Sequence, residues 1–192
     1  KQYGNAIDAA VADALSKPLI PIQGRIDNRY SEIPLEFAEL PNREKLLATA
    51  NSENRYEAAR ARLLISQWDR DGGLPKTYPY PVQTWRLGDG PTLVFLGGEV
   101  VVDFALRLKQ ELGAGKTWVA AYCNDVMAYI ASRRVLREGG YEGAGAMTYY
   151  GLPSPWAMSS EDAIINEVRR QVSELGGPAA DKPLSISSPI YP

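Results

Sequence analysis

Apolar positions recur at helical spacing over residues 2 to 16, where Ala6, Ile7, Ala10, Val11, Ala14 and Leu15 predict an amphipathic helix that Pro18 stops. From Leu19 to Leu35 the pattern changes. Pro18, Pro21 and Pro34 forbid helix, and Ile20, Ile22 and Ile26 alternate around Gly24 as a strand would. Pro41-Asn42 opens a helical hairpin with Asn42 as its N-cap. The second helix is predicted from about Glu53 to Arg70. Tyr56, Ala59, Leu63, Leu64 and Trp68 form its buried stripe, and Gly72-Gly73 with Pro75 ends it.

The second half alternates with a period of two. Val82 to Leu87 and Thr92 to Leu96 read as strands joined by a turn at Gly88-Asp89-Gly90. Gly97-Gly98-Glu99 then leads into a helix from about Val100 to Leu112. Thr117 to Tyr122 is apolar enough to predict a central third strand. Residues 123 to 151 read as irregular and rich in Gly and Tyr. Ser159 is expected to cap a last helix whose Ile164, Ile165, Val168, Val172 and Leu175 face a core, with Asp162 at its third position. The tail from Gly177 is rich in Pro and Ser. A strand–helix–strand unit between Thr92 and Tyr122 predicts an α/β fold, with α+β as the neighbouring class: a mixed sheet flanked by helices in three layers. The chain divides into one composite region, 1–176, and an extended tail, 177–192. Within the region, 1–75 is mostly helical with one extended segment, 76–151 holds the sheet and site loops, and 159–176 is a helix. The strand ends at Gly97-Gly98-Glu99 and at Tyr122-Cys123-Asn124-Asp125 meet on one side, where α/β sheets place their ligands.

Composition narrows the chemistry. A hydrophobic share of 45% supports a real core. No run of about 18 apolar residues exists, so no membrane span is expected. Lys and Arg total 21 against 23 Asp and Glu, and no strong basic cluster stands out, which argues against nucleic acid as a partner. There is no histidine and one cysteine, Cys123. That excludes Ser-His-Asp and Cys-His catalysis, and any histidine metal site, built by this chain alone. The chain begins at Lys1 without a leader pattern, which predicts a processed product or a fragment. Gly113-Ala-Gly-Lys-Thr117 imitates a phosphate loop but joins helix to strand and lacks the earlier glycine, with Gln110 in its place. It reads as a helix end and a turn. Gly143-Ala-Gly145 reads as a loop that needs either positive φ or a close backbone approach, and Cys123 as a small buried residue. Glu99 has two readings: a carboxylate near a helix N-terminus, or a metal ligand or general base at the sheet edge. Tyr122, Tyr129, Tyr141, Tyr149 and Tyr150 form either a packing cluster or a binding surface. Arg133 and Arg134 either orient a polar substrate group or form surface ion pairs.

Three ordered segments carry a resemblance. Leu96-Gly-Gly-Glu99 with the following run to Leu108, Tyr122-Cys-Asn-Asp-Val-Met-Ala-Tyr129-Ile, and Tyr141-Glu142 with Tyr149-Tyr-Gly151 resemble elements of the neutral (alkaline, non-lysosomal) ceramidases, in the order of that family. The likeness covers about residues 80 to 151 and is weaker outside them. It departs where Gly97 replaces the family's proline, and no immunoglobulin-like C-terminal domain follows. The resemblance implies a zinc-dependent amidase that cleaves a ceramide-like N-acyl amide into fatty acid and amine base. It implies Glu99 and Tyr129 as zinc ligands and Tyr141 as the oxyanion donor, with two histidine ligands from an upstream segment. Arg133 and Tyr149 would then touch substrate, and the family's location is secreted, periplasmic or membrane-associated. On these terms the chain alone is inactive. Two rival readings stand beside it. One is a non-catalytic module that binds a ligand or protein through the Gly- and Tyr-rich loops, with Trp85 and Trp156 as anchors. The other is an anion-binding domain using the helix after Gly98.

Overall fold

The structure, a computed structural model, describes residues 1–177; the tail predicted from Gly177 lies almost wholly outside them. Helix α1 spans Gln2–Ser16 and buries none of its residues. Strand β1, Ile26–Glu36, comes next, so the strand starts later than the isoleucine alternation at 20–26 suggested. Its inward residues are those nearer its end, with Leu35 fully buried. Helices α2, Arg43–Thr49, and α3, Arg55–Asp71, form the expected hairpin. The Asn42 side chain accepts the Lys45 N–H at 2.8 Å, and Asn54 caps α3. Gly72, at φ 77°, closes it in the left-handed region.

The predicted stripe of α3 holds at Leu64, which is buried, and at Trp68, which is half-buried, but fails at Tyr56, Ala59 and Leu63. Ala58, Ala61 and Leu64 are buried, whereas Tyr56 and Leu63 face out. Large side chains misled the reading: the inner face takes two alanines beside Leu64.

Strand β2, Thr77–Leu87, pairs antiparallel with β1 along its whole length and with β3, Thr92–Leu96, only from Val82 to Arg86. Pro79 and Pro81 are tolerated because that first stretch of β2 has a single neighbour. Helix α4, Val102–Leu112, crosses to β5, Thr117–Ala120, which lies parallel to β3. The sheet order is β1-β2-β3-β5, so β5 is an edge rather than the central strand its apolar content predicted. The fold is α/β, with a mixed sheet flanked by helices. The last helix, α7, covers Ser160–Glu174. Helices α4 and α7 pack on the sheet and on each other. Between them lies the core: Tyr80, Val82, Val94, Leu96, Phe104, Leu108, Ile164, Ile165 and Val168. Burying each such side chain stabilises the fold by about 1.5–3 kcal/mol. Ser159 does not cap α7; its hydroxyl turns to Glu36 at 2.9 Å. An ion cluster ties α4 to the start of α7. Arg107 on α4 reaches Glu161 and Asp162 in the first turn of α7, and Glu111 one turn along its own helix at 3.0 Å. No helix among the described residues is long and apolar enough to cross a membrane.

The segment read as irregular is ordered. It holds strand β6, Tyr129–Ile130, helix α5, Arg133–Glu138, a π-helical turn, Tyr141–Gly145, and helix α6, Met147–Tyr150. None is long enough for periodicity to reveal it.

Candidate functional site

The site begins with a reversal of expectation at Glu99. It does not stand at a helix start. Glu99–Val100 is a two-residue strand, β4, and α4 starts only at Val102. Strand β4 pairs in parallel with β6, with Glu99 opposite Tyr129 and Val100 opposite Ile130. Directly opposed residues of neighbouring strands send their side chains to the same face. Thirty residues of sequence thus fold to place one carboxylate beside one phenol.

Gly98 makes the approach possible. Its φ is 69°, and a Cβ there would lie 2.6 Å from the Ala128 carbonyl oxygen. That same oxygen accepts the Glu99 N–H at 2.8 Å, while Gly98 N–H donates to Asp125 at 2.8 Å and Val101 N–H to Ile130 at 3.1 Å. Trp156 holds the other strand: its indole N–H donates to the Tyr129 carbonyl at 2.8 Å, and its ring stacks on Phe37 at 4.9 Å. Ser132 caps α5 and donates to Asp103 on α4, which also takes a bidentate contact from Arg134. Arg134 is therefore a structural clamp between the two strand-to-helix connections.

Two residues just before β6 adopt left-handed backbone without being glycine: Tyr122 at φ 59° and Asn124 at φ 67°. Such a conformation costs on the order of 1 kcal/mol for a tyrosine. The Tyr122 N–H donates to the Gly98 carbonyl at 2.9 Å, which ties this turn to the glycine before Glu99. The nearby Glu99 carboxylate, with burial adding, pushes the Tyr122 and Tyr129 hydroxyls both up to about 12. Glu99 and Tyr129 are half-buried, and Tyr122 is exposed. Burial raises the Cys123 thiol, whose sulfur contacts the Ala121 carbonyl at 3.2 Å, so Cys123 is half-buried and not activated.

Tyr141 opens the π-helical turn after two left-handed glycines, Gly139 and Gly140. The turn is wound so that the Ala146 N–H reaches the Tyr141 carbonyl at 2.9 Å. It packs tightly on α5: a Cβ on Gly143 would meet the Val135 carbonyl at 2.6 Å, so of the two needs predicted there the close backbone approach holds. The Tyr141 ring stands edge-on to Tyr129 at 5.5 Å, and Tyr149 lies beyond it at 6.0 Å. Glu99, Tyr129, Tyr141 and Tyr149 therefore gather in one place.

Arg133 does not join them in the same way. Its guanidinium contacts Asp162 and the Met158 carbonyl, and its N–H donates to Glu161 at 2.8 Å. It braces α5 against α7. Two residues missed as site members stand in the cluster. Tyr122 was visible as a strand-end tyrosine. Tyr56 was hidden by its assignment to the buried stripe of α3, and its ring lies 5.1 Å from Tyr149.

Among the described residues no group of three His, Cys, Asp or Glu side chains could hold a metal. Glu99 and Tyr129 offer two oxygen donors from opposed positions, which suits half of a four-ligand zinc site. A carboxylate is an ordinary zinc ligand and a phenolate an uncommon one. The chain matches no family model, no curated protein and no solved structure.

Proposed function

We propose that this chain supplies part of the site of a zinc-dependent hydrolase acting on an N-acyl amide of ceramide-like type, with histidine ligands from an upstream segment completing it. The observation that carries the reading is the opposition of Glu99 and Tyr129 on β4 and β6, with Tyr141 edge-on to Tyr129. Glu99 and Tyr129 would hold the ion. Zinc there would supply Lewis-acid polarisation of the amide carbonyl. Tyr141, exposed and set on a rigid turn, would donate its hydroxyl to the oxygen of the tetrahedral intermediate. One good donor of this kind contributes on the order of 3 kcal/mol to the transition state. A cation between Glu99 and Tyr129 would favour the phenolate of Tyr129. Tyr149 would contact substrate, while Arg133 keeps the frame.

The test uses the full protein carrying the histidine segment. It should bind one zinc and release fatty acid from an N-lauroyl amide. Glu99→Gln should lose both, and Tyr141→Phe should lose turnover while keeping zinc. Unchanged zinc content and turnover in Glu99→Gln would overturn the reading.

The absence of histidine favours a second reading, a non-catalytic binding module built on the tyrosine cluster. Ligand binding by the full protein with no zinc and no turnover would select it.

A further inference from the structure

The sheet has two unlike faces. Helices α4 and α7 pack on the one that carries Val82, Val94 and Leu96. Opposed residues of neighbouring strands share a face, so the register sets the other. There Trp85, Leu93 and Trp118 lie opposite one another across β2, β3 and β5. Tyr30 and Phe95 flank Gln83 in the next row. The Trp85 and Phe95 rings meet edge-on at 5.9 Å. The loop after β5 reaches this face where the Asn124 amide donates to Gln83 at 3.3 Å. Elsewhere the face is open: Trp118 is 69%, Ile26 61% and Tyr30 50% exposed. Sheet faces that meet only water are polar, and a contiguous apolar one marks an interaction surface.

Helix α1 is a second apolar surface without cover. Tyr3, Ile7, Val11 and Leu15 recur along one side of it, 84%, 66%, 52% and 69% exposed, with Ala6, Ala10 and Ala14 beside them. A helix of this length is marginal in water unless something packs on it. The alanines let it lie close on a flat apolar face. The link to β1 is pinned at one end. The Gln23 N–H donates to the Asp89 carboxylate at 2.8 Å, and the Gln23 carbonyl accepts the Asp89 N–H at 2.9 Å. The Gly88 N–H donates to the Arg25 carbonyl at 3.0 Å. A Cβ on Gly88 would sit 1.8 Å from the Gln23 oxygen, so the clamp onto the β2–β3 turn is tight. Before the clamp, Pro18 and Pro21 stiffen residues 17–22, all exposed. At about 3.1 Å per residue they carry α1 on the order of 20 Å from that turn, clear of its own sheet. A pinned arm with a proline-stiffened link and an apolar helix at its end suits exchange between copies.

We propose that two copies of this chain exchange their α1 arms, each helix lying with Tyr3, Ile7, Val11 and Leu15 on the open sheet face of the other. The area suffices when the exchange is reciprocal. At about 100 Å² for an aliphatic and about 200 Å² for an aromatic side chain, the exposed fractions of the stripe amount to about 350 Å², and those of Ile26, Tyr30 and Trp118 to about 300 Å². One such contact covers about 650 Å², short of a specific interface; two related by a twofold axis cover about 1,300 Å², within the range of stable ones. The exchange is independent of the zinc reading, since none of these residues belongs to the Glu99–Tyr129 cluster.

Sedimentation velocity of the 192-residue chain at micromolar concentration should show a dimer. Ile7→Asp and Trp118→Asp each put a charge into both symmetric contacts and should weaken dimerisation at least about a hundredfold. Both positions are exposed in the single chain, so the variants keep its fold. Asn5→Asp, the same charge on the opposite side of α1, should leave the dimer unchanged. In an equimolar mixture of isotope-labelled and unlabelled chain, filtered NOEs should run from the Ile7 and Val11 methyls of one copy to the Trp118 ring of the other. A monomeric chain would overturn the proposal. So would NOEs confined to one chain, because α1 would then lie on its own sheet. A dimer that both Ile7→Asp and Trp118→Asp leave intact would overturn it as well, because its interface would lie elsewhere.

Discussion

Gly98→Ala tests the physical basis of the site more sharply than any change in its side chains. Two terms add. The backbone at φ 69° disfavours any residue with a Cβ by about 1–2 kcal/mol. The new methyl would also sit 2.6 Å from the Ala128 oxygen, 2.9 Å from the Ile130 side chain and 3.1 Å from the Met127 sulfur. A backbone carbonyl cannot swing aside as a side chain can. Strand β6 must retreat by several tenths of an ångström, and the bond from the Glu99 N–H to Ala128 weakens with it. Losing that bond in a buried setting costs about 1–2 kcal/mol more. The total is about 3 kcal/mol. Gly72→Ala is the control: its φ is 77°, but nothing lies within 4 Å, so only the first term applies. In a domain of this size 1 kcal/mol moves the melting temperature by about 2–4 °C. Thermal unfolding should therefore show Gly98→Ala about 6–12 °C below wild type and Gly72→Ala about 2–8 °C below, the smaller of the two shifts. Equal shifts for the two variants would refute the close packing of β4 on β6, and with it the opposition of Glu99 and Tyr129.

The ion cluster and the acid limb of stability give two further tests. Arg107→Met leaves Glu161 without an ion-pair partner, keeping only the Arg133 N–H, and leaves Asp162 to Arg133 alone, and should cost about 2–3 kcal/mol in urea unfolding; a loss below about 0.5 kcal/mol, on the order of a surface pair, would show that the cluster is effectively solvated. Glu167, paired with Arg170 and bonded by Ser31 and Gln171, is held down at about 2 against an ordinary 4.5. A lowered carboxyl stabilises the fold above its unfolded value and loses that contribution as pH falls from about 4.5 toward 2. The gap between wild type and Glu167→Gln should be on the order of 2–3 kcal/mol at pH 6 and shrink steadily below pH 4. A gap that stays constant from pH 6 to 3 would contradict the pairing.

The parts of the fold that were legible are those that repeat. The hairpin around Gly88-Asp89-Gly90, the helix from Val102 and the core face of α7 announce themselves through periods of two or 3.6. Asn42 was legible because a cap needs one particular chemistry. The site was legible only in its members. Glu99, Tyr129, Tyr141 and Tyr149 could be named, yet their meeting depends on two strands of two residues each, paired across a thirty-residue gap. No local pattern encodes such a pairing. The glycines beside them do hint at it, since Gly98 has neither a hairpin nor a helix cap to explain it. Tyr56 was lost because the phase of α3 was judged by side-chain size, and its inner face is lined by alanines.

The central claim is that Glu99 and Tyr129 hold a zinc ion completed from upstream. Anomalous diffraction at the zinc edge from crystals of the full protein tests it most directly. The account predicts a single peak within about 2.0–2.2 Å of a Glu99 carboxylate oxygen and at a similar distance from the Tyr129 hydroxyl, with two histidines as the remaining ligands. A peak bound elsewhere, with Glu99 and Tyr129 left paired only to each other, would contradict it.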